Sequence, residues 1–371
     1  MNQDNSKKKK IAYLITGSDT GGAEIVVKNL IFNLNQDKFL PIFISIRPLG
    51  IIGREISEKF QTISLGAGKK FNPFFLLRFF ILLKKERPDI LHCHLFHANL
   101  VGRIIGKMAG VKFIISTIHS DNFGGRLRYL LLKITDFLNN LTVVVSQKIK
   151  DDLTEKRIVP NKKIMVIYNG VKESEDIVSN EDIYKIKKDL SIENNSPIIL
   201  SIGRLHEVKG HIYLIRAIKI LVEKNPNLKL LIIGNGPERK KLKDESTKLG
   251  LSNYILFLGE IRETVPYYKL ANFFVLPSIN EGFGLSVVEA MSDKLLVIAS
   301  NVGGIPEIIK DSVNGFLVEP GNPIKLAEVI SNIILKDNSD KEKITENAYN
   351  NFKSNFSLEI MLDKYTLLYN S

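Results

Sequence analysis

Cysteine is nearly absent from this chain of 371 residues: Cys93 stands alone, so no intrachain disulfide bond can form. That composition fits a reducing compartment. Long apolar runs are missing as well, and none approaches the roughly 18 residues that a membrane-spanning helix needs. The lysine-rich start, residues 1–10, is followed by only five apolar-leaning residues, which is too short for the apolar region of a signal peptide. We therefore expect a cytoplasmic protein.

Two motifs that would indicate other chemistry are also missing. The dinucleotide-binding spacing G-x-G-x-x-G does not occur, which argues against an NAD-dependent oxidoreductase. No D-x-D pattern precedes a predicted site. His92, His94 and His97 have a metal-like spacing, but His97 falls beyond the predicted strand end and no carboxylate or thiolate set completes a site. We therefore expect neither a metal nor a cofactor.

The formal net charge of the chain is +12, and it is unevenly distributed. Residues 1–175 contain 28 Lys and Arg against 15 Asp and Glu, whereas residues 176–371 contain 24 against 25. The excess in the first half predicts an anionic partner, such as a membrane surface or an anionic lipid-linked acceptor. Solvated surface charge explains it equally well. We expect no nucleic-acid partner, because no recognisable nucleic-acid-binding module is present.

The apolar segments predict an α/β protein with two domains. Residues 11–16 read as a buried strand, and a glycine-containing turn and a helix pattern follow, which is a Rossmann-type opening. After a charged, Asn-rich linker region at residues 172–196, the strand at residues 198–202 begins a second set. The length is sufficient for two domains and a large core. Further strands are predicted at residues 41–47, 62–65, 89–94, 113–118, 141–145, 229–233, 255–258, 273–278, 295–299 and 316–318, and a short helix at residues 54–60.

Two segments of the first half combine apolar and basic residues. Residues 71–85 predict a helix that is apolar nearly all round, with basic residues interrupting and ending it. Such a helix fits contact with a membrane surface, and it fits burial in the core equally well. Residues 126–133 form a second basic, leucine-rich segment.

The chain is organised around the stretch 281–307. It runs E-G-F-G-L-S-V-V-E from Glu281 to Glu289, and G-G-I-P-E ends it. Gly282 and Gly284 let the backbone approach a ligand closely, and the N–H groups of the predicted helix start would face a phosphate. The two carboxylates accept hydrogen bonds from hydroxyls and do not bind phosphate. The stretch therefore predicts a site for a phosphate with hydroxyls on either side, as in a nucleotide sugar.

A second charged loop follows the predicted strand at residues 198–202. It reads G-R-L-H-E-V-K-G and carries two cations, Arg204 and Lys209. Two neighbouring cations suit a diphosphate, which carries about two negative charges, and Arg can bind it with two parallel hydrogen bonds. Exposed loop cations without a ligand are the alternative interpretation.

Taken together, these motifs resemble the donor-site signature of the family 4 glycosyltransferases. The resemblance rests on E-x7-E with an internal G-F-G, on G-G-x-P-E and on G-R-L-x-x-x-K-G, and it extends over nearly the whole chain. It implies the GT-B fold, in which two Rossmann-like domains face each other across a cleft. On this basis residues 1–172 would bind the acceptor and residues 173–350 the nucleotide sugar, while residues 351–371 would form a C-terminal helix that crosses back to the first domain.

The resemblance also implies roles for individual residues. The residues expected to take part in catalysis are His119, Arg204, Lys209 and Glu281. The residues expected to contact the donor are Gly22, Gly203, Gly236, Ile261, Phe283, Gly284, Leu285 and Glu289. His94, in an H-x-H pattern at a strand end, is expected on the acceptor side. For Gly22 a plain strand-to-helix turn, and for His119 a purely structural role, are the alternatives.

The predicted function is that of a retaining, metal-independent glycosyltransferase of the hexosyltransferase kind. It would move a sugar from a UDP- or GDP-linked donor to a glycan or lipid-linked acceptor in cell-surface polysaccharide assembly. Arg204 and Lys209 would stabilise the charge that builds on the departing diphosphate. The protein would be cytoplasmic, with peripheral contact at the inner membrane face. The alternatives are a non-catalytic nucleotide-sugar or glycan binding protein on the same fold and, with less support, an NAD-dependent oxidoreductase.

Overall fold

The computed structural model describes residues 8–68, 73–120, 124–174 and 178–371. The chain divides into two compact units. The first unit contains the chain up to Gly170 together with Leu358–Ser371, and the second contains Val171–Ser357. Each unit is built around its own parallel sheet.

The first unit has a seven-stranded sheet with the order β3-β2-β1-β4-β5-β6-β7. Its strands are β1 (Lys9–Ile15), β2 (Phe39–Ser45), β3 (Thr62–Ser64), β4 (Ile90–His94), β5 (Phe113–Ile118), β6 (Leu141–Val144) and β7 (Ile164–Val166). All pairings are parallel. The strand order reverses between β1 and β4, and in open parallel sheets ligands bind at the carboxyl ends of strands at such a reversal.

Helices cover both faces of this sheet, which explains why its strands are apolar runs. They are α1 (Gly22–Asn33), α2 (Ile51–Ser57), α3 (Phe74–Glu86), α4 (Phe96–Ala109), α5 (Arg126–Thr135) and α6 (Gln147–Glu155). One hydrophobic core joins the sheet to α1 and α2 through residues such as Val26 and Ile56. A second core joins it to α3 and α4 through residues such as Phe79 and Ile105. The helices α3 and α4 therefore lie on the same face of the sheet.

The second unit has a six-stranded sheet with the order β10-β9-β8-β11-β12-β13. Its strands are β8 (Ile198–Ile202), β9 (Lys229–Ile233), β10 (Ile255–Gly259), β11 (Phe273–Leu276), β12 (Leu296–Ser300) and β13 (Phe316–Val318). Its helices are α7 (Asn180–Asp189), α8 (His211–Leu221), α9 (Arg239–Lys248), α10 (Val265–Leu270), α11 (Leu285–Ser292), α12 (Ile305–Ile308), α13 (Pro323–Ile334) and α14 (Asn338–Asn355). Here the reversal point lies between β8 and β11, the two strands that precede the predicted site loops.

The last helix, α15 (Leu358–Asn370), belongs to the first unit. Its side chains Met361, Tyr365 and Tyr369 are fully buried in the core beside α1. The sulfur of Met361 accepts the Gly170 N–H at 3.1 Å, and Lys9 Nζ donates to the Tyr369 carbonyl at 2.9 Å. The end of the chain is thus an integral part of the first core.

Several element boundaries differ from the sequence prediction, and β2 and α2 are two examples. The strand predicted at residues 41–47 is Phe39–Ser45, so Pro41 lies inside it. Pro41 pairs only with Ile11 of β1, because β3 begins opposite Phe43, and its missing N–H therefore costs no ladder hydrogen bond. The helix predicted at residues 54–60 begins three residues earlier, at Ile51, directly after Gly50.

The apolar helix predicted at residues 71–85 is α3, which ends at Glu86. The first two residues of that prediction lie outside the described residues, as do residues 175–177 of the predicted linker region. The side chains of Phe75, Phe79 and Leu83 are buried, whereas Leu77 and Ile81 are exposed. The helix is apolar nearly all round because it has both a core face and an apolar outer face.

Candidate active site

Loops at the carboxyl ends of the strands in the second unit are tied together by backbone hydrogen bonds. The Ile279 N–H, in the loop after β11, donates to the Val208 carbonyl in the loop after β8 at 2.8 Å. The Leu205 N–H donates to the Asn235 carbonyl in the loop after β9 at 2.9 Å. The loops on either side of the reversal point therefore hold one another in place, so that their side chains are positioned before any ligand arrives.

Two glycines make this close packing sterically feasible. Gly303 has a φ of +54°, and a Cβ there would overlap the carbonyl oxygen of Glu281. Gly284 has a φ of +103°, and a Cβ there would overlap the side chain of Ile305. Positive φ values are costly for residues other than glycine. The G-G-x-P-E segment and the G-F-G turn can thus pack closely against each other because glycine occupies both contact points. This packing explains why the two motifs occur together in this chain.

The geometry of this loop pair centres on an ion pair between Lys209 and Glu281. Lys209 Nζ lies 2.5 Å from Glu281 Oε2, and the Ser278 hydroxyl donates to the same oxygen at 3.3 Å. The side chains of Lys209 and Glu281 keep 24% and 13% of their exposure, so both remain accessible. Arg204 lies on the same loop as Lys209, is exposed, and forms no ion pair with any described residue. The loop therefore presents one guanidinium without a counter-ion in the described part of the chain and one ammonium held by a carboxylate.

The second carboxylate, Glu289, has a different partner. It lies in the second turn of α11, and the Tyr268 hydroxyl donates to its Oε2 at 2.8 Å. Burial raises the pKa of the Glu289 carboxyl above its ordinary value, while the hydrogen bond from Tyr268 opposes the rise. The side chain of Tyr268 is itself buried. Its hydroxyl orients the carboxylate and leaves Oε1 for another donor.

The start of α11 is open in a way that suits an anion. Gly284 is its N-cap residue, and no side chain among the described residues caps the first N–H groups. Such groups carry partial positive charge and bind anions. Leu285 is the first helical residue and is half-buried, whereas the ring of Phe283 is buried and packs on Phe356 at a centroid distance of 5.7 Å. The ring of Phe283 is therefore not accessible to a ligand.

Three further residues of the predicted donor site lie at neighbouring strand ends. Gly203 follows β8, and its N–H donates to the Ile233 carbonyl at 3.0 Å. Gly236 follows β9 and packs on the backbone of Leu205. Ile261 follows β10 and is half-buried. All three lie at the carboxyl edge of the sheet, but the structure records no contact of Ile261 with the ion pair.

In the first unit, His94 ends β4 and His119 follows β5. His94 Nδ1 lies 3.0 Å from His119 Nε2, and the two rings stack with centroids 5.3 Å apart. His94 is fully buried, whereas His119 is half-buried. Burial lowers the pKa of His119 to about 4 and lowers that of His94 as well. Both rings are therefore neutral at neutral pH, and His119 is the member of the pair that a ligand can reach.

His92 extends this pair into a buried cluster. Its Nδ1 lies 2.7 Å from the Tyr369 hydroxyl and its Nε2 lies 2.6 Å from Thr117 Oγ1. Burial lowers the pKa of His92 to about 3, so the ring is neutral. Tyr369 comes from α15, and the last helix of the chain thereby holds the ring of a histidine next to the predicted acceptor-side residue.

Gly22, the remaining residue of the predicted donor site, is the first residue of α1. It is exposed, and nothing lies within 4 Å of a Cβ built there. The predicted residues therefore fall into two groups. Gly22, His94 and His119 belong to the first unit, and the others belong to the second.

Comparison with known proteins decides the family. Residues 20–175 match the family model Glycosyltransferase Family 4, and residues 182–351 match the model Glycosyl transferases group 1. An uncharacterised glycosyltransferase of Methanocaldococcus jannaschii is 32% identical over 280 residues, which are 72% of this chain and 71% of that protein. The chain belongs to family 4 of the glycosyltransferases. The family and the enzyme class predicted from the sequence are confirmed.

Two further proteins extend the comparison of this glycosyltransferase. The UDP-Gal:alpha-D-GlcNAc-diphosphoundecaprenol alpha-1,3-galactosyltransferase of Escherichia coli is 28% identical over 308 residues, which are 79% of this chain and 78% of that protein. Among solved structures, Anabaena HepE in complex with UDP and glucose superposes with a TM-score of 0.86 at 22% identity, covering 98% of this chain and 100% of that one. The structural likeness confirms the GT-B fold.

Several residues that organise the sites of this glycosyltransferase were not found by sequence reasoning. Tyr268, which holds Glu289, and Tyr369, which holds His92, are the main examples. The only signals were the paired tyrosines at residues 267–268 and the aromatic end of the chain, and neither predicts which side chain a hydroxyl reaches. His97, the third member of the H-x-H-x-x-H pattern, lies on α4 and is exposed.

Two absences apply to the part of the chain that the structure describes. It contains no group of three or more His, Cys, Asp or Glu side chains arranged to hold a metal ion. None of its helices combines the length and the apolar character that crossing a bilayer requires.

Proposed function

We propose that this glycosyltransferase transfers a hexose from a UDP-linked donor to a lipid-linked acceptor, with retention of the anomeric configuration. The observation that carries the proposal is the Lys209–Glu281 ion pair beside the exposed Arg204, at the reversal point of the second sheet. Two cations and a carboxylate in this place match a diphosphate that is joined to a hydroxyl-bearing sugar.

The two cations act on the leaving group. As the bond between the sugar and the diphosphate breaks, negative charge builds on the diphosphate oxygens. Arg204 and Lys209, together with the first N–H groups of α11, stabilise this charge in the transition state more than in the ground state. Because Glu281 already holds Lys209, the ammonium needs little reorganisation at that moment. We propose on this basis that the reaction needs no metal ion.

The carboxylates hold the uncharged parts of the donor. Glu289 accepts hydrogen bonds from the ribose hydroxyls, and Glu281 from hydroxyls of the transferred sugar. The neutral ring of His119 contacts the transferred sugar, and His94 lies behind it. The acceptor hydroxyl attacks the anomeric carbon on the face that the diphosphate leaves. The bond to the phosphate oxygen breaks, the bond to the acceptor oxygen forms, and the acceptor proton passes to the departing phosphate.

The lipid-linked acceptor is proposed from two observations. The E. coli relative is named for a diphosphoundecaprenol acceptor, and the first half of this chain carries all of the excess positive charge. An anionic polyprenyl diphosphate at the inner face of a membrane fits that charge. The enzyme would then act in the assembly of a cell-surface polysaccharide, as a peripheral protein on that face.

A thermal-shift panel followed by a turnover assay tests the proposal. A ligand that binds only the folded state raises the melting temperature by mass action. We expect UDP to raise the melting temperature and ADP and NAD to leave it unchanged. A response to GDP alone would mean that the donor is GDP-linked and not UDP-linked. Turnover of a UDP-hexose with a polyprenyl-diphosphate sugar should follow. UDP binding without any turnover would favour the non-catalytic binding protein, and a response to NAD alone would overturn the proposal.

A further inference from the structure

Three helices of the first unit lie side by side on one face of its sheet. The helices α3 and α4 share a hydrophobic core, to which Phe79 and Ile105 contribute. The helices α4 and α5 are joined by the buried guanidinium of Arg103, which donates to the Leu132 carbonyl at 2.9 Å. We call their outer surface, together with the following Phe137, the three-helix face.

The outer surface of these helices is apolar to an unusual degree. Its exposed apolar side chains recur every three or four residues along each helix, so that each helix presents one stripe. They are Phe74, Leu77 and Ile81 on α3, Ile104 and Met108 on α4, and Leu127, Leu130, Ile134 and Phe137 on and after α5. These are nine of the eighteen large apolar side chains that are exposed in the described part of the chain. In the second unit such residues are scattered, and the largest group on one element is Ile324 and Leu335, at the start and just after the end of α13, so the concentration is specific to this face.

The charges on the three-helix face have one sign. Its exposed basic residues are Arg78, Lys84, Lys85, Lys107, Arg126 and Lys133. The acidic residues of the three helices amount to Glu86 alone, which is paired with Lys10 at 3.2 Å. A second copy of the chain would bring this positive surface against itself, which is unfavourable. The surface instead complements an extended anionic and partly apolar partner.

We propose that the three-helix face docks on the anionic surface of a membrane. Apolar side chains such as Leu127 and Leu130 enter the boundary between headgroups and acyl chains, and the surrounding Lys and Arg side chains pair with anionic headgroups. The helices lie along the surface and do not cross it. The inference rests on the proposed function only in explaining why such docking is useful, since it would bring the enzyme to a lipid-linked acceptor.

Flotation of the full chain with lipid vesicles tests the inference. The vesicles contain phosphatidylcholine alone or phosphatidylcholine mixed with phosphatidylglycerol, and no donor or acceptor is present. We expect the protein to float with the anionic vesicles, to float poorly with the neutral ones, and to dissociate as salt is raised.

The variant Leu127→Glu/Leu130→Glu should lower partitioning onto anionic vesicles about tenfold or more, because it replaces two inserted apolar side chains by anions. Both residues are exposed, so the fold should be kept, and an unchanged UDP thermal shift verifies this. The matched control is Ile324→Glu/Leu335→Glu, which changes two apolar residues of the second unit that are at least as exposed and should float as the parent protein does.

Three results would overturn the inference: no flotation with anionic vesicles, equal loss in the control variant, or a concentration-dependent dimer in light scattering that the α5 variant abolishes. The last result would mean that a second copy covers the face. Because the vesicles contain neither substrate, failure here leaves the proposed reaction intact. Failure of turnover with a soluble acceptor analogue would instead count against the proposed reaction alone.

Discussion

In the first unit, the strand ends beside the reversal point carry the neutral, buried side chains of His92, His94 and Thr117. In the second unit, the loops at the equivalent place carry Arg204, Lys209 and Glu281, which are charged and at least partly exposed. The two sheets reverse their strand order in the same way. The shared topology therefore decides where a site forms, whereas the side chains at the strand ends decide what charge its ligand has.

The contrast has a structural cause in each unit. In the first, α15 covers His92 with the rings of Tyr365 and Tyr369, and exclusion of water lowers the pKa of that histidine. In the second, short glycine-containing loops bring Lys209 and Glu281 together while leaving them accessible. A neutral, buried cluster suits hydroxyl-bearing ligands, and an accessible ionic loop suits a diphosphate.

Among the changes that test this contrast, removal of the Lys209 ammonium from the second unit should have the largest effect. Lys209→Met should lower kcat by about a thousandfold, because one preorganised group that stabilises developing charge is lost. Steady-state kinetics with the UDP-hexose measures this. The matched control is Lys241→Met on α9, an exposed lysine of the same unit, which should retain parental kcat. Equal turnover of the Lys209 variant and the control would contradict the role of Lys209.

Changing one glycine in each unit to alanine distinguishes a position where two loops pack closely from a position with open space around it. Gly303→Ala should lower the free energy of unfolding by about 2 kcal/mol or more, since it combines a positive φ with an overlap on the Glu281 backbone. Gly22→Ala, at a position with open space, should change stability by less than about 0.5 kcal/mol. Denaturant unfolding of both variants is the measurement, and similar values for the two would refute the distinction.

The hydroxyl that holds Glu289 offers a smaller perturbation. Tyr268→Phe should raise KM for the UDP-hexose about tenfold with a smaller change in kcat, because it removes one hydrogen bond to a charged group. The lost bond normally lowers the pKa of Glu289, so the variant carboxyl should protonate at higher pH. KM should therefore begin to rise at higher pH in the variant than in the parent as the pH is lowered. Parallel pH profiles for the two enzymes would contradict the proposed contact between Glu289 and the donor.

Mild acid should have the smallest effect, a loss of stability that occurs mainly in the first unit. Folded His92 and His119 have pKa values of about 3 and about 4, below the ordinary value of 6.5. The unfolded chain therefore binds more protons than the folded chain. The contribution of these two neutral histidines to the free energy of unfolding is complete above pH 6.5 and is lost as the pH falls towards their folded pKa values. In the second unit His211 behaves in the same way, but the raised pKa values of Glu289 and Asp293 have the opposite effect, as does that of the single carboxyl Asp136 in the first unit. The reason is that these folded carboxyls bind protons more tightly than unfolded ones.

Hydrogen exchange measured between neutral pH and about pH 5 tests this difference. Amides of β4 and β5 should lose protection sooner on acidification than amides of β8 and β11. Equal loss in the two sheets, after correction for the intrinsic exchange rates, would mean that the buried histidines do not set the acid response.

Much of the fold could be predicted from local patterns. The strands at Ile198–Ile202, Lys229–Ile233 and Phe316–Val318 have the predicted bounds, since short buried runs between polar turns identify such strands. The loop with Arg204 and Lys209 was found for the same reason, because its glycines and charges follow one strand directly. The predicted roles of these residues stay predictions, as does the assignment of His119.

The amino-acid sequence by itself determined the alternation of strands and helices, the glycine-containing loops after the strands, and the uneven charge of the two halves. These depend on residues close together in the chain. Only the tertiary structure decided that Tyr268 meets Glu289 across 21 residues, that Tyr369 meets His92 across 277 residues, and that three apolar outer stripes lie side by side. Such contacts depend on which faces of distant elements pack together. A local pattern shows that a helix has an apolar face, but not which partner that face meets.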